Sequence, residues 1–114
     1  LASDIDPVAV RVAGENLRLN GVAPLVRTVC AAGIDNAAFA QPGGFDLIVA
    51  NILAGPLVGL AGPIRRRLAP GGTVILSGLL AHQQNRVVAA YRAQGLRFVR
   101  PDLREGWATL TLTA

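Results

Sequence analysis

The chain has 114 residues, 52% of them hydrophobic, with eleven basic and seven acidic side chains and a formal net charge of +4. That length holds one compact domain and not two, and no apolar run approaches the ~18 residues of a membrane span. Cys30 is the sole cysteine and every cation is an Arg, which excludes an internal disulfide, a multi-cysteine metal site and a lysine Schiff base.

Leu1–Asp4 reads as the tail of a strand. Asp6 is suited to cap a helix and Pro7 to its first position, so a helix is expected from there to about Leu19, with Val8, Ala9, Val12, Ala13 and Leu17 on or near one face. Asn20-Gly21 ends it. Leu25–Cys30 is a second strand and Ala31–Pro42 a small-residue connection. Phe45–Asn51 follows the Gly43-Gly44 turn as a third strand, and its bulk at Leu47, Ile48 and Val49 predicts burial on both faces of a parallel sheet. Pro56–Leu68 has a helical apolar face and an interior Pro63 able to distort it. Pro70-Gly71-Gly72 is a turn, Thr73–Ser77 a β-branched strand broken by Gly78, and Ala81–Gln94 a helix stopped by Gly95. Leu96–Pro101 and Trp107–Thr113 are strands joined by the polar link Asp102–Gly106, hence paired antiparallel. Cys30, Phe98 and Trp107 are expected to be buried.

Strands alternating with helices imply an α/β fold with a parallel sheet and helices on both faces. Ligands in such folds bind at the carboxyl ends of strands. Asp4 stands at one such end, where a carboxylate accepts hydrogen bonds from ribose hydroxyls or simply shapes a turn. Asn51 stands at another. With a neighbouring carbonyl it could hold an amine by its N–H groups and aim the lone pair, or it could close the strand and cap the next helix. Ser77-Gly78 closes the fourth strand at the same edge. Ser77 lacks a nucleophile-elbow pattern, and His82, the sole histidine, reads as a solvated helix-start residue. Arg65-Arg66-Arg67 falls at a predicted helix end, where cations suit the dipole, so direct nucleic-acid binding is not expected. No Gly-x-Gly-x-x-Gly occurs.

Asp4-Ile5-Asp6-Pro7, Asn51-Ile52-Leu53-Ala54 and Ser77-Gly78-Leu79-Leu80 together resemble the class I methyltransferase fold. More narrowly, they resemble the ribosomal protein L11 methyltransferase family (PrmA). Asn16 with Asn20-Gly21, the lead Phe45-Asp46, and Leu68-Ala69-Pro70-Gly71-Gly72 agree with it. Related amino-methylating enzymes tend to carry Asn-Pro-Pro-aromatic where Ile52 and Leu53 stand here.

The resemblance implies a Rossmann-like sheet, mostly parallel with an antiparallel carboxyl-terminal strand and lacking the first strand and Gly-rich loop. Residues 1–114 would be the carboxyl-terminal part of a catalytic domain. It further implies S-adenosylmethionine-dependent methylation of lysine and amino-terminal amines of a large-subunit ribosomal protein. A lone thiol and no export signal make the cytoplasm the expected location, and the seven acidic residues form no obvious metal cluster. The piece alone is expected to be inactive and able to self-associate through open sheet edges. In this reading Asp4 and Ile5 bind the cofactor ribose, and Ala31 and Ala32 meet its adenine through backbone and apolar contacts. Asn51 touches the cofactor and, with the Ile52 carbonyl, holds the acceptor amine. Leu53, Ser77, Gly78 and Leu79 line the acceptor pocket. The residues alone leave open a nicotinamide-dependent reductase fragment, a non-catalytic binding or dimerisation module, and methylation of another amino acceptor such as adenine.

Overall fold

The structure, a computed structural model, describes Leu1–Ala114 and divides into two compact units, Leu1–Phe39 and Ala40–Ala114. In the first, β1 (Ala2–Asp4) pairs in parallel with β2 (Thr28–Cys30), Asp4 facing Cys30. Between them runs α1 (Pro7–Leu19). Its start follows the sequence: the Asp6 carboxylate accepts the Val8 N–H at 2.8 Å and Pro7 occupies the first turn, where a missing donor costs nothing. The second strand is shorter than expected because Ala23–Leu25 forms a 3-10 turn before it. Phe39 is the one buried apolar side chain of this unit. Cys30 is exposed, its thiol 3.6 Å from the Ile5 carbonyl, which corrects the expectation of burial.

The second unit holds a four-stranded sheet in the order β3-β4-β6-β5, built from β3 (Phe45–Asn51), β4 (Leu68–Leu80), β5 (Arg97–Arg104) and β6 (Trp107–Thr113). β3 and β4 are parallel; β6 runs antiparallel between β4 and β5. The antiparallel strand expected near the sheet edge is therefore one place in from it. The predicted Asp102–Gly106 link contracts to Glu105-Gly106, with φ of 49° and 82°. Two consecutive left-handed residues form the tight hairpin whose twist matches antiparallel strands.

The predicted Pro56–Leu68 helix is two: α2 (Ala54–Gly59) and α3 (Ala61–Arg67), meeting at Leu60. Pro63 explains the division. An uninterrupted helix would need its missing N–H, whereas in the first turn of a new helix that donor has no intrahelical partner. α4 (Gln84–Ala93) follows a 3-10 turn at Ala81–Gln83, and Gly95, φ +84°, ends it. Leu57 of α2, Ile64 of α3, and Val87 and Tyr91 of α4 are fully buried, as are Val74, Leu76 and Leu79 of β4 and Leu110 and Leu112 of β6. Each such aliphatic side chain contributes about 1.5–3 kcal/mol. This core fixes the β4–β6 register and with it the sheet's rim.

Two strand expectations are corrected. Leu47 and Val49 are 54% and 62% exposed, not buried: they share one face of β3 with Asn51 and that face is open, while Ile48 and Ala50 on the other face are half-buried. The Pro70-Gly71-Gly72 turn lies inside β4: Phe45 faces Leu68, yet Leu47 already faces Thr73, so the intervening residues loop out as a bulge. No helix is long and apolar enough to cross a membrane.

Candidate functional site

Within the carboxyl-terminal unit, the parallel pairing of β3 and β4 ends with Asn51 opposite Ser77, while β4 itself runs on to Leu80, past the break expected at Gly78. β6, being antiparallel, begins at this rim, with Trp107 opposite Leu80. Leu76 faces Leu110, but Leu79 faces Ala108. Ser77 and Gly78 thus share one residue of β6, a two-against-one bulge that tilts the strand end and moves the next core position from 78 to Leu79.

The bulge locks the two strand ends together. The Ser77 hydroxyl donates to Asn51 Oδ1 at 2.9 Å, and the Ile52 N–H donates to the Ser77 carbonyl at 3.2 Å. Gly78 has φ +84°, and a β-carbon placed there would lie 2.6 Å from the Ile52 carbonyl oxygen and 2.9 Å from Asn51 Oδ1. Both the left-handed backbone and the close approach require glycine. Two hydrogen-bond acceptors, one amide and one backbone carbonyl, therefore converge over a residue with no side chain.

An open cleft of about 500 Å³ lies here, lined by Asn51, Ile52, Leu53, Ser77 and Gly78 from β3, β4 and the segment after β3, and by Trp107, Ala108 and Thr109 from β6. The structure thus brings together Asn51, Ile52, Leu53, Ser77 and Gly78. Leu79 is completely buried behind them and is removed from the expected lining. Trp107, expected in the core, is 54% exposed and forms one wall. The sequence carried a signal for it: along β6, Ala108, Leu110 and Leu112 are buried, while Thr109, Thr111 and Thr113 share the other face with Trp107. The parity of Trp107 with these threonines, opposite to that of Ala108, Leu110 and Leu112, places it off the core face. His82 is exposed in the 3-10 turn, as its reading required, and Phe98 is half-buried.

In the amino-terminal unit, Asp4, Ile5 and Ala31 meet at the carboxyl ends of β1 and β2, tied by the Ala31 N–H to the Asp4 carbonyl at 3.0 Å. Asp4 Oδ1 accepts the Asp6 N–H at 2.9 Å, so Asp4 does shape the turn into α1. A carboxylate has about four lone-pair sites; this bond uses one and presents the exposed group to solvent. That donor-free, acceptor-rich group fits a pair of ribose hydroxyls. Ile5 is exposed, Ala31 half-buried and Ala32 exposed.

The family model of ribosomal protein L11 methyltransferase (PrmA) matches residues 1–114. Proteins named ribosomal protein L11 methyltransferase from Chelativorans sp. (strain BNC1) and Bradyrhizobium diazoefficiens are 56% and 58% identical over 110 and 112 residues, covering 96% and 98% of this chain. The chain spans 38% of the length of each. The crystal structure of a ribosomal protein L11 methylase from Lactobacillus delbrueckii subsp. bulgaricus superposes with a TM-score of 0.87 at 28% identity, over 96% of this chain and 55% of that one. An RNA methyltransferase from Salinibacter ruber in complex with S-adenosyl-L-homocysteine shares the fold at 20% identity, with a TM-score of 0.67 over 97% of this chain and 62% of that one. On the match across its whole length, the chain belongs to the ribosomal protein L11 methyltransferase family.

Proposed function

We propose that the full-length protein carrying this chain methylates amino groups of ribosomal protein L11, lysine side chains and the amino terminus, using S-adenosylmethionine. Family membership supports the reaction and the substrate. The observation that carries the residue assignment is the convergence of Asn51 Oδ1 and the Ile52 carbonyl over Gly78. Two acceptors at one point suit the two N–H groups of a neutral primary amine and leave its lone pair to face away from them.

The cofactor supplies an electrophilic sulfonium methyl group. The chain's own residues contribute position. Oδ1 of Asn51 has two lone pairs; Ser77 takes one and the other is available to the acceptor. The Ile52 N–H is held by the Ser77 carbonyl, which anchors the Asn51–Ile52 peptide against β4; the Ile52 oxygen belongs to the next peptide unit and stands over Gly78. With its N–H groups held by these two oxygens, the acceptor nitrogen would present its lone pair to the methyl group and would release its proton to water. Neither Asn51 nor a carbonyl is basic enough to take that proton, so both orient and neither acts as general base.

The acceptor must arrive neutral. A lysine amine has a reference pKa of about 10.4 and an α-amino group about 7.7–8.0, and a site that strips water from the amine favours the neutral form. Trp107 and Leu53 supply apolar walls for this. In the amino-terminal unit, Asp4 would hold the cofactor ribose, with Ile5, Ala31 and Ala32 beside it.

Asn51→Ala in the full-length protein is the test. Lost orientation should lower kcat about a hundredfold, while the dissociation constant for S-adenosylhomocysteine stays within twofold of the original. A variant that keeps its turnover, or that loses cofactor affinity in proportion, would remove Asn51 from the acceptor site.

A further inference from the structure

We infer that Ser77 is a positioning residue that acts on the reaction through Asn51, without touching the acceptor amine. This rests on the amine-holding role given above to Asn51 and Ile52. Its side chain is committed elsewhere: the hydroxyl proton goes to Asn51 Oδ1 at 2.9 Å. Its backbone carbonyl receives the Ile52 N–H at 3.2 Å. Ser77 thus holds Asn51 Oδ1 by its side chain and, by its main chain, the peptide that joins Asn51 to Ile52, from the strand directly opposite.

The reason for such a grip is geometric. Asn51 is exposed at the end of β3, where its amide would rotate among several orientations and present either its oxygen or its NH₂ group to the cleft. An NH₂ group facing an amine would repel the N–H donors that the site must accept. Donation from Ser77 selects the orientation in which oxygen stands over Gly78 beside the Ile52 carbonyl. The Ser77-Gly78 bulge makes this possible: Ser77 reaches across to β3 while Leu79, one residue further on, re-enters the core.

The test is a double-mutant cycle in the full-length protein, with Ser77→Ala, Asn51→Ala and the pair. Removing one positioning hydrogen bond should lower kcat about fivefold to tenfold, with the acceptor KM and the S-adenosylhomocysteine dissociation constant unchanged. Ser77→Thr, which restores a hydroxyl, should regain most of the loss, and Ser77→Cys, a poor donor of similar size, should not. In the Asn51→Ala background, Ser77→Ala should cost nothing further, because its only route to the reaction is gone. Additive losses, a rise in acceptor KM, or equal activity of the Thr and Cys variants would overturn the inference. If Ser77→Ala fails to fold, the Thr and Cys pair still decides it. An active Asn51→Ala protein would instead remove the acceptor-site reading itself, a result separate from a cycle in which Asn51 matters and Ser77 does not.

Discussion

Gly78→Ala tests the convergence of the two acceptors most directly, and its cost can be worked from two separate terms. The first is the backbone: at φ +84° an L-residue with a β-carbon pays about 1–2 kcal/mol. The second is the collision at 2.6 Å with the Ile52 carbonyl and 2.9 Å with Asn51 Oδ1. The nearer atom is backbone, so it cannot swing aside like a flexible side-chain end. Overpacking of this kind typically adds about 1–3 kcal/mol. Gly95 separates the terms, since it has the same φ of +84° and nothing within 4 Å of its would-be β-carbon. Gly95→Ala should therefore lose only the backbone term. We expect Gly78→Ala to be the less stable of the two by about 1–3 kcal/mol in denaturant unfolding. At a temperature where both variants are folded, Gly78→Ala should also show a much lower kcat with S-adenosylhomocysteine binding intact, because the added methyl group displaces both oxygens. Equal stability of the two variants would refute the close approach, and a Gly78→Ala protein with normal turnover would refute its role in the site.

Three other outcomes are expected. Asp4→Ala should weaken S-adenosylhomocysteine binding about tenfold or more, the range for hydrogen bonds to a charged group, measured by calorimetry, with kcat at saturating cofactor little altered; an unchanged dissociation constant removes Asp4. Trp107→Ala should raise the acceptor KM about fivefold to tenfold through loss of the aromatic wall, whereas Trp107→Phe keeps most of it; steady-state kinetics with a lysine peptide would show whether the two differ. Tyr91 is fully buried with its hydroxyl unpaired, and burial pushes its phenol well above the ordinary 10.0. The folded state therefore keeps the proton that the unfolded chain gives up, so Tyr91 makes stability fall as pH rises above about 10. Tyr91→Phe should flatten that alkaline decline and be neutral or slightly stabilising at pH 7, which melting curves across pH 7–11 would reveal.

The sequence showed most of what local chemistry controls. Asp6-Pro7 announced the start of α1, Gly95 the end of α4, and Asn51 the end of β3, because caps, turns and strand ends are decided by a few neighbouring residues. It misled where the decision was made by tertiary neighbours. Leu47-Ile48-Val49 has the composition of a doubly buried strand, yet what covers each face of β3 is decided by distant parts of the chain and is not written in the strand itself. Leu79 adjoins Ser77-Gly78 in the chain, and only the bulge, which shifts the inward alternation by one residue, sends it into the core. Trp107 was misjudged because an aromatic in a strand is more often buried than displayed; the clue lay in comparing its parity with Leu110 and Leu112.

The bulge and the antiparallel strand act together. A regular β4 would have kept the alternation of Val74 and Leu76 and put residue 78 on the core face, so a glycine there would have left a hole. Inserting one residue instead turns Gly78 to the rim, brings Ser77 within reach of Asn51, and returns Leu79 to the core opposite Ala108. β6 must run antiparallel for its first residue, Trp107, to stand at this same rim; a parallel strand would have delivered its last. The two-residue Glu105-Gly106 hairpin, held by the Ala81 N–H to the Gly106 carbonyl at 2.8 Å, sets where that first residue falls. An extra residue inside the hairpin would break the Ala81–Gly106 hydrogen bond and loosen the rim around Trp107 while leaving Ala108, Leu110 and Leu112 free to keep their core positions. Such an insertion should therefore weaken acceptor binding far more than it lowers stability. The opposite result, a destabilised protein with a normal acceptor KM, would mean that the hairpin serves the core and not the cleft.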